Sequence, residues 1–196
     1  MKLPRKFYEM NTLKVAKGLL GKKLVRIYNG KKLSGMIVET EAYIGPKDKA
    51  SHSYGGKITE RNKVMFGPPG HAYVYQIYGM YFCLNVVTRP ENYPEAVLIR
   101  AVHPLEGIEY MEKFRHGRAL TNGPGKLCQA MKIDKSVNGV DLLGDEIWIE
   151  KYKDFGRKEI ISAKRIGIDY AEEYKDKKWR FYVNDNYVSK KKFFKL

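Results

Sequence analysis

The sequence predicts an α+β fold: a single compact domain with a curved, mostly antiparallel β-sheet, flanked by helices and carrying a projecting aromatic β-hairpin. Three observations carry that reading. Two segments have strand–turn–strand character, one around Asn29-Gly30 and one around Gly79. Several further short apolar runs read as strands. Only three segments show helical periodicity, and the 196 residues contain no linker, internal repeat or low-complexity stretch apart from a basic end within 185–196. A chain of that length reads as one domain, large enough for a substantial core.

The elements follow in order. "MNTLKVAKGLLGKK" reads as a helix capped by Asn11 or Thr12, with Leu13, Ala16 and Leu20 on one face and Gly21 at its C-terminal end. "KLVRIYNGKKLSGMIVETEAY" is a hairpin whose Asn-Gly turn suits the backbone that such turns need. Residues 45–70, rich in Gly, Pro, Ser, Asn and Lys, form a long loop, and a loop of that length in a compact domain is usually functional. "AYVYQIYGMYFCLNVVT" is the aromatic hairpin with Gly79 near its tip, and "AVLIRAV" a buried strand. "LEGIEYMEKFR" is an amphipathic helix, and "GPGKLCQAM" opens a short one with Pro124 near its first turn. "DEIWIEKY", "KEIISAKRIGI" and "WRFYVN" read as the remaining strands.

Composition narrows the class. Hydrophobic content of 43% and aromatic content of 13% argue for a folded globule. No apolar run is long enough for a membrane span, and "MKLPRKFYEMNT" lacks the continuous apolar segment of a signal peptide. Cys83 and Cys128 lack zinc-site spacing with the histidines and read as reduced core thiols. Lys and Arg number 37 against 22 Asp and Glu, a formal net charge of +15, which suggests an anionic polymer as partner. A lysine-rich solvated surface would give the same balance, so charge alone does not identify nucleic acid.

Three places carry candidate chemistry. Strand alternation puts Glu39, Glu41 and Tyr43 on one face, with same-face neighbours about 7 Å apart, a spacing at which two carboxylates can serve one substrate. The same residues could instead form an edge ion pair, or hold a divalent metal, although no further Asp or Glu stands close behind them. Tyr73, Tyr75, Tyr78, Tyr81 and Phe82 crowd a short window; aromatic strands are often core, yet Tyr78 precedes the turn glycine, where a side chain projects outward and can stack on or wedge between bases. His52 lies in the long loop, where a histidine serves either a local hydrogen bond or a ligand. Asn85 and Arg100 sit inside apolar strands and each needs a partner, structural or in a substrate. Together these describe a pocket with aromatic walls, one or two carboxylates and selective hydrogen-bonding groups on a basic surface, which suits extraction of a base from DNA.

"VETEAYIGPKDKASHSYGG" with Thr59, Arg61 and Asn62 behind it, "MFGPPGHAYVYQIYGMYFCLNVV", "VLIRAVHPLEG" and "GPGKLCQAM" resemble the alkyladenine DNA glycosylases, also called the 3-methyladenine or methylpurine DNA glycosylase family. The resemblance runs from the first helix to "WRFYV". It implies a single mixed α/β domain that uses neither metal nor cofactor. By position, Glu41 matches the general base that activates water for attack on the sugar's anomeric carbon, and Arg100 the arginine that helps hold that water. Tyr43, His52 and Tyr75 match the aromatic walls around a flipped base, and Asn85 the residue that rejects guanine through its exocyclic amino group. Tyr78 matches the wedge left in the stack, with Met80 and Tyr81 beside it; Lys57, Thr59 and Lys126 fall where the family contacts DNA.

What the resemblance implies is a monofunctional glycosylase acting on double-stranded DNA that contains 3-methyladenine, 7-methylguanine, hypoxanthine or ethenoadenine. It further implies a monomer, a downstream abasic-site endonuclease as successor in base excision repair, and a place in the bacterial cytoplasm at the nucleoid, or in the nucleus of a eukaryote. The chain departs from mammalian members in starting close to the family core, and at Tyr54 and Gly125. A base-stacking module without activity and a metal-dependent nuclease built on Glu39 and Glu41 are the rival readings of the residues.

Overall fold

The computed structural model describes residues 1–117 and 121–188; "SKKKFFKL" lies outside the described residues. The strands are β1 (Lys23–Tyr28), β2 (Lys31–Tyr43), β3 (Ala72–Ile77), β4 (Tyr81–Thr88), β5 (Glu95–Glu106), β6 (Ile147–Glu150), β7 (Ile160–Ala163) and β8 (Arg180–Val183). All pair antiparallel, in the order β3-β4-β5-β2-β1-β6, with β8 added to β2 and β7 to β8. The helices are α1 (Arg5–Tyr8), α2 (Thr12–Gly18), α3 (Ile108–Arg115) and α4 (Pro124–Ala130).

The sheet curls around its longest strand. One edge of β2 pairs with β5 along its length, while the other edge is shared: β1 takes Lys31–Met36 and β8 takes Glu39–Glu41. At the bend Gly35 is required, because a Cβ there would lie 2.6 Å from Val102 Cγ2 and 3.0 Å from the His103 carbonyl oxygen. Asn29 and Gly30 take φ of 47° and 71°, the left-handed pair that joins two strands tightly.

Between β2 and β5 the register slips around Glu39, which pairs with Ala101 while Thr40 pairs with Ile99. Arg100 is the residue left over, a bulge of the kind that re-aims a side chain. Thr40 and Ala42 face the core; the Thr40 hydroxyl donates to the Ala16 carbonyl at 2.8 Å and ties α2 to the strand. The core itself is made of Leu24, Ile37, Leu84, Val86 and Ile99 from the sheet, Val15 and Leu19 from around α2, and Leu127 from α4. Burial of each such side chain contributes about 1.5–3 kcal/mol relative to exposure.

Several boundaries differ from the sequence reading. Asn11 is the cap of α2, its side chain accepting from Leu13 N–H at 3.1 Å. A short α1 precedes it, and β5 runs on to Glu106, with Pro104 next to a register shift, where a missing N–H is tolerated. "KEIISAKRIGI" is not one strand: only Ile160–Ala163 is extended, and Gly167 at φ 76° turns the chain back toward β2. The reason is Arg165, whose buried guanidinium is drawn inward by a carboxylate on the long loop.

Candidate active site

Glu41 is 0% exposed on the far side of β2 from α2, and its two oxygens accept from three donors. Oε1 accepts from the Ile166 backbone N–H at 2.8 Å; Oε2 accepts from the Tyr43 hydroxyl at 2.9 Å and Arg100 Nη1 at 3.1 Å. Glu39 Oε1 accepts from Arg180 Nη1 at 2.9 Å and lies 3.4 Å from Arg100 Nε, so Arg100 sits between the two carboxylates. Burial opposes a charge on Arg100, but Glu41 and Glu39 outweigh it and hold the guanidinium charged. Burial, with the Glu41 carboxylate beside it, pushes the Tyr43 hydroxyl well above its ordinary range. Tyr43 is therefore a phenol that donates.

Tyr43 leads from this cluster into a cleft lined by Tyr43, Ser51, His52, Met65, Tyr75 and Asn85, with Tyr73 behind. The cleft is narrow between the rings and opens to solvent at its mouth. His52 and Tyr75 meet edge to face, ring centroids 4.4 Å apart. Burial, with Arg61 nearby, lowers the His52 pKa from 6.5 to about 4, so the ring is neutral at physiological pH. Its Nδ1 lies 2.8 Å from the Tyr73 hydroxyl; with Tyr73 donating, the proton sits on Nε2. Asn85 Nδ2 donates to the Tyr73 carbonyl at 3.1 Å, which fixes the amide in the cleft wall.

The loop holding His52 is tied by one buried side chain. Asn62 Nδ2 donates to the His52 carbonyl at 2.8 Å and the Lys57 carbonyl at 2.9 Å, while its Oδ1 accepts from Thr59 N–H at 2.7 Å. Lys57 and Thr59 are exposed on that loop. Lys126 lies elsewhere, on α4, half-buried with Nζ donating to Asn122 Oδ1 at 2.8 Å.

At the β3–β4 turn Tyr78 is 86% exposed with φ at 51°, and Gly79 follows at 66°. A bulky residue in the left-handed region is an outlier that costs on the order of 1–3 kcal/mol and accumulates at functional positions. The turn is braced by Gln76 Nε2, which donates to the Gly79 carbonyl at 2.7 Å. Met80 and Tyr81 are also exposed beside it.

Residues 6–187 match the family described as methylpurine-DNA glycosylase (MPG). The chain belongs to the methylpurine-DNA glycosylase family. It is a DNA glycosylase, a hydrolase of damaged DNA. Among its relatives, a protein of Alkaliphilus oremlandii bearing the name "Putative 3-methyladenine DNA glycosylase" is 57% identical over 97% of this chain and 100% of its own length. Proteins of the same name from Bacillus cytotoxicus and Clostridium acetobutylicum are 52% and 53% identical, over 97% and 95% of this chain and 100% and 96% of their own.

Of the residues singled out in the glycosylase's sequence, Tyr43, His52, Tyr75 and Asn85 line one cleft, and Glu41 and Arg100 meet behind it. Tyr78, Met80 and Tyr81 share the exposed turn, and Lys57, Thr59 and Lys126 stand apart from the cleft's lining. Sequence reasoning missed Asp48, Arg165 and the Ile166 N–H. Arg165 donates to both oxygens of Asp48 at 2.6 and 2.8 Å, with neither side chain exposed, and its guanidinium lies 4.7 Å from the centre of the Tyr43 ring. A cation inside an apparent strand and a carboxylate in a lysine-rich loop were the only signals.

Proposed function

We propose that this glycosylase flips an alkylated or deaminated purine out of duplex DNA into the cleft between Tyr43, His52 and Tyr75, and hydrolyses its bond to the sugar with Glu41 as general base. One observation carries the reading: a fully buried carboxylate at the root of an aromatic cleft, with an acceptor position left over. A carboxylate offers about four lone-pair sites, and three are filled by Ile166, Tyr43 and Arg100. The fourth, on Oε1, is where a water would give up its proton.

The chemistry then follows from the charges. As the sugar–base bond lengthens, its electron pair leaves with the base and positive charge grows on the sugar. Glu41 takes the proton of the attacking water and faces that charge, while Arg100 positions the carboxylate and the water. A flat purine gains by stacking on Tyr43 and Tyr75, and the neutral His52 offers Nε2–H as a donor. Asn85, its amide pinned by Tyr73, obstructs the exocyclic amino group of guanine. Tyr78, presented on a strained turn, fills the gap in the stack, and Met80, Tyr81, Lys57, Thr59 and Lys126 contact the duplex. The substrates are 3-methyladenine, 7-methylguanine, hypoxanthine and ethenoadenine. No lysine stands with Glu41 and Arg100 in the catalytic set, so the strand stays intact and an abasic-site endonuclease acts next.

The test is single-turnover excision from lesion duplexes in the presence of EDTA, with wild type and Glu41→Gln side by side. Free base from an intact strand is expected of the wild type. The variant should bind lesion DNA and lose about 10²–10⁴-fold in rate, the usual worth of a general base. Near wild-type release by Glu41→Gln would overturn the assignment.

A further inference from the structure

The wall residue Tyr43 has two faces, and only one of them belongs to the cleft. The other is covered by Arg165, whose side chain is 0% exposed and is absent from the cleft's lining. Its guanidinium lies 4.7 Å from the Tyr43 ring centre and 5.1 Å from that of Trp179, and Nη1 also donates to the Ala42 carbonyl at 3.0 Å. Asp48 grips it from behind with both oxygens and is itself held by the backbone N–H groups of Ile44 at 3.1 Å and Ala50 at 3.0 Å. The next residue, Ile166, gives its N–H to Glu41. One dipeptide thus touches both the base wall and the carboxylate.

We propose that Arg165 is a specificity-determining residue that sets the cleft against a base carrying positive charge. The inference rests on the reading of the cleft as the site of the flipped purine. An aromatic face attracts a cation through its ring quadrupole; a guanidinium already on the far face opposes a second cation on the near one. Asp48 offsets this only in part, because the guanidinium and not the carboxylate is against the ring. The consequence differs between lesions. A 7-methylguanine is cationic while attached to the sugar and leaves as a neutral base, its charge passing to the sugar beside Glu41. Arg165 disfavours the bound cation more than the transition state, so it weakens binding of this lesion and speeds its release. Hypoxanthine is neutral while attached, so Arg165 leaves its binding alone. It departs with the electron pair as an anion, which the guanidinium favours as much as it favours discharge of the cation, so the two lesions differ in binding and not in departure. Arg61, over Tyr75 at 5.2 Å, is exposed and screened by solvent, and the buried Arg100 is offset by Glu41 and Glu39, which leaves Arg165 as the buried guanidinium lying against a wall ring.

The experiment measures two ratios, 7-methylguanine over hypoxanthine: one of single-turnover excision rates, one of duplex affinities in a Glu41→Gln background where the base stays attached. The first variant is Asp48→Asn combined with Arg165→Met, because removing both members of a buried pair leaves no orphaned charge. Its affinity ratio should rise on the order of tenfold, on the scale of two charges across one ring, while the two excision rates fall together and their ratio holds. Arg165→Lys keeps the charge without the fork and should keep the wild-type ratios, even where both rates drop. Asp48→Asn alone, with the guanidinium stripped of its counter-charge, should move the affinity ratio downward. An unchanged affinity ratio in the double variant, or the same shift in Arg165→Lys, would reduce Arg165 to a structural residue and overturn the inference. A wild type that releases neither base would sink the reading of the cleft, and this inference with it.

Discussion

Two buried carboxylates, Glu41 and Asp48, stand close together along the chain, each against a guanidinium from far away, and the two pairs are finished differently. Asp48 meets Arg165 through both oxygens, and two backbone N–H groups fill the rest of its acceptor capacity. Glu41 meets Arg100 through one oxygen at 3.1 Å, and Arg100 is shared with Glu39, which Arg180 also holds. A closed pair fixes geometry; an open one keeps a lone pair for chemistry. Burial alone does not distinguish them, since both carboxylates are fully enclosed.

Several substitutions would break or sharpen that contrast. Glu41→Gln should leave melting temperature almost where it was, because Glu39 still neutralises Arg100, while excision falls by orders of magnitude. A large loss of stability would mean that Glu41 is as structural as Asp48. Asp48→Ala leaves Arg165 buried and unpaired and should cost about 3–5 kcal/mol in denaturant unfolding. A loss below about 1 kcal/mol would show that solvent reaches the site and the pair is not closed.

The Tyr78 turn offers a smaller effect of opposite kind. Tyr78→Gly removes a side chain from a left-handed backbone, so unfolding should show no loss or a slight gain. Binding to lesion duplexes should weaken by about 1–3 kcal/mol, the worth of one stacked aromatic. Unchanged binding in a titration would remove Tyr78 from the interface.

The last effect is confined to acid pH. Folding holds His52 at about 4 instead of 6.5, so the unfolded chain binds the extra proton between those values. The stability this supplies is complete above about pH 6.5 and is lost as pH falls toward about 4. In His52→Gln the acid limb of the melting-temperature profile should flatten; a limb identical to wild type would show that His52 is already solvated.

Much of this architecture was legible beforehand because its signals are local. Asn11 before an apolar period announced α2, Asn29-Gly30 announced the first hairpin, and Pro124 opened α4. The motif resemblance had singled out Tyr43 and His52, which line the cleft, together with Glu41 behind it, because the three stand in one short stretch. The supports behind them were not. Asp48 and Arg165 are 117 positions apart, and nothing in "KEIISAKRIGI" distinguishes a strand from a strand followed by an inward turn. The slip that frees Arg100 is equally silent, because the alternation on each strand looks regular when the strands are read singly.

The position of β2 has a consequence for how the enzyme fails. Glu39–Glu41 are bonded along both edges, to β5 on one side and β8 on the other, so their amides can exchange with solvent only when the whole sheet opens. The turn at Tyr78–Met80 has one intrahairpin backbone bond, Met80 N–H to the Ile77 carbonyl at 3.2 Å, and exchanges by local fraying. Deuterium uptake should therefore be slowest at the strand that carries Glu39 and Glu41 and fastest at the Tyr78 turn. On heating, DNA engagement should fade before the catalytic geometry does, and that geometry should disappear together with the fold.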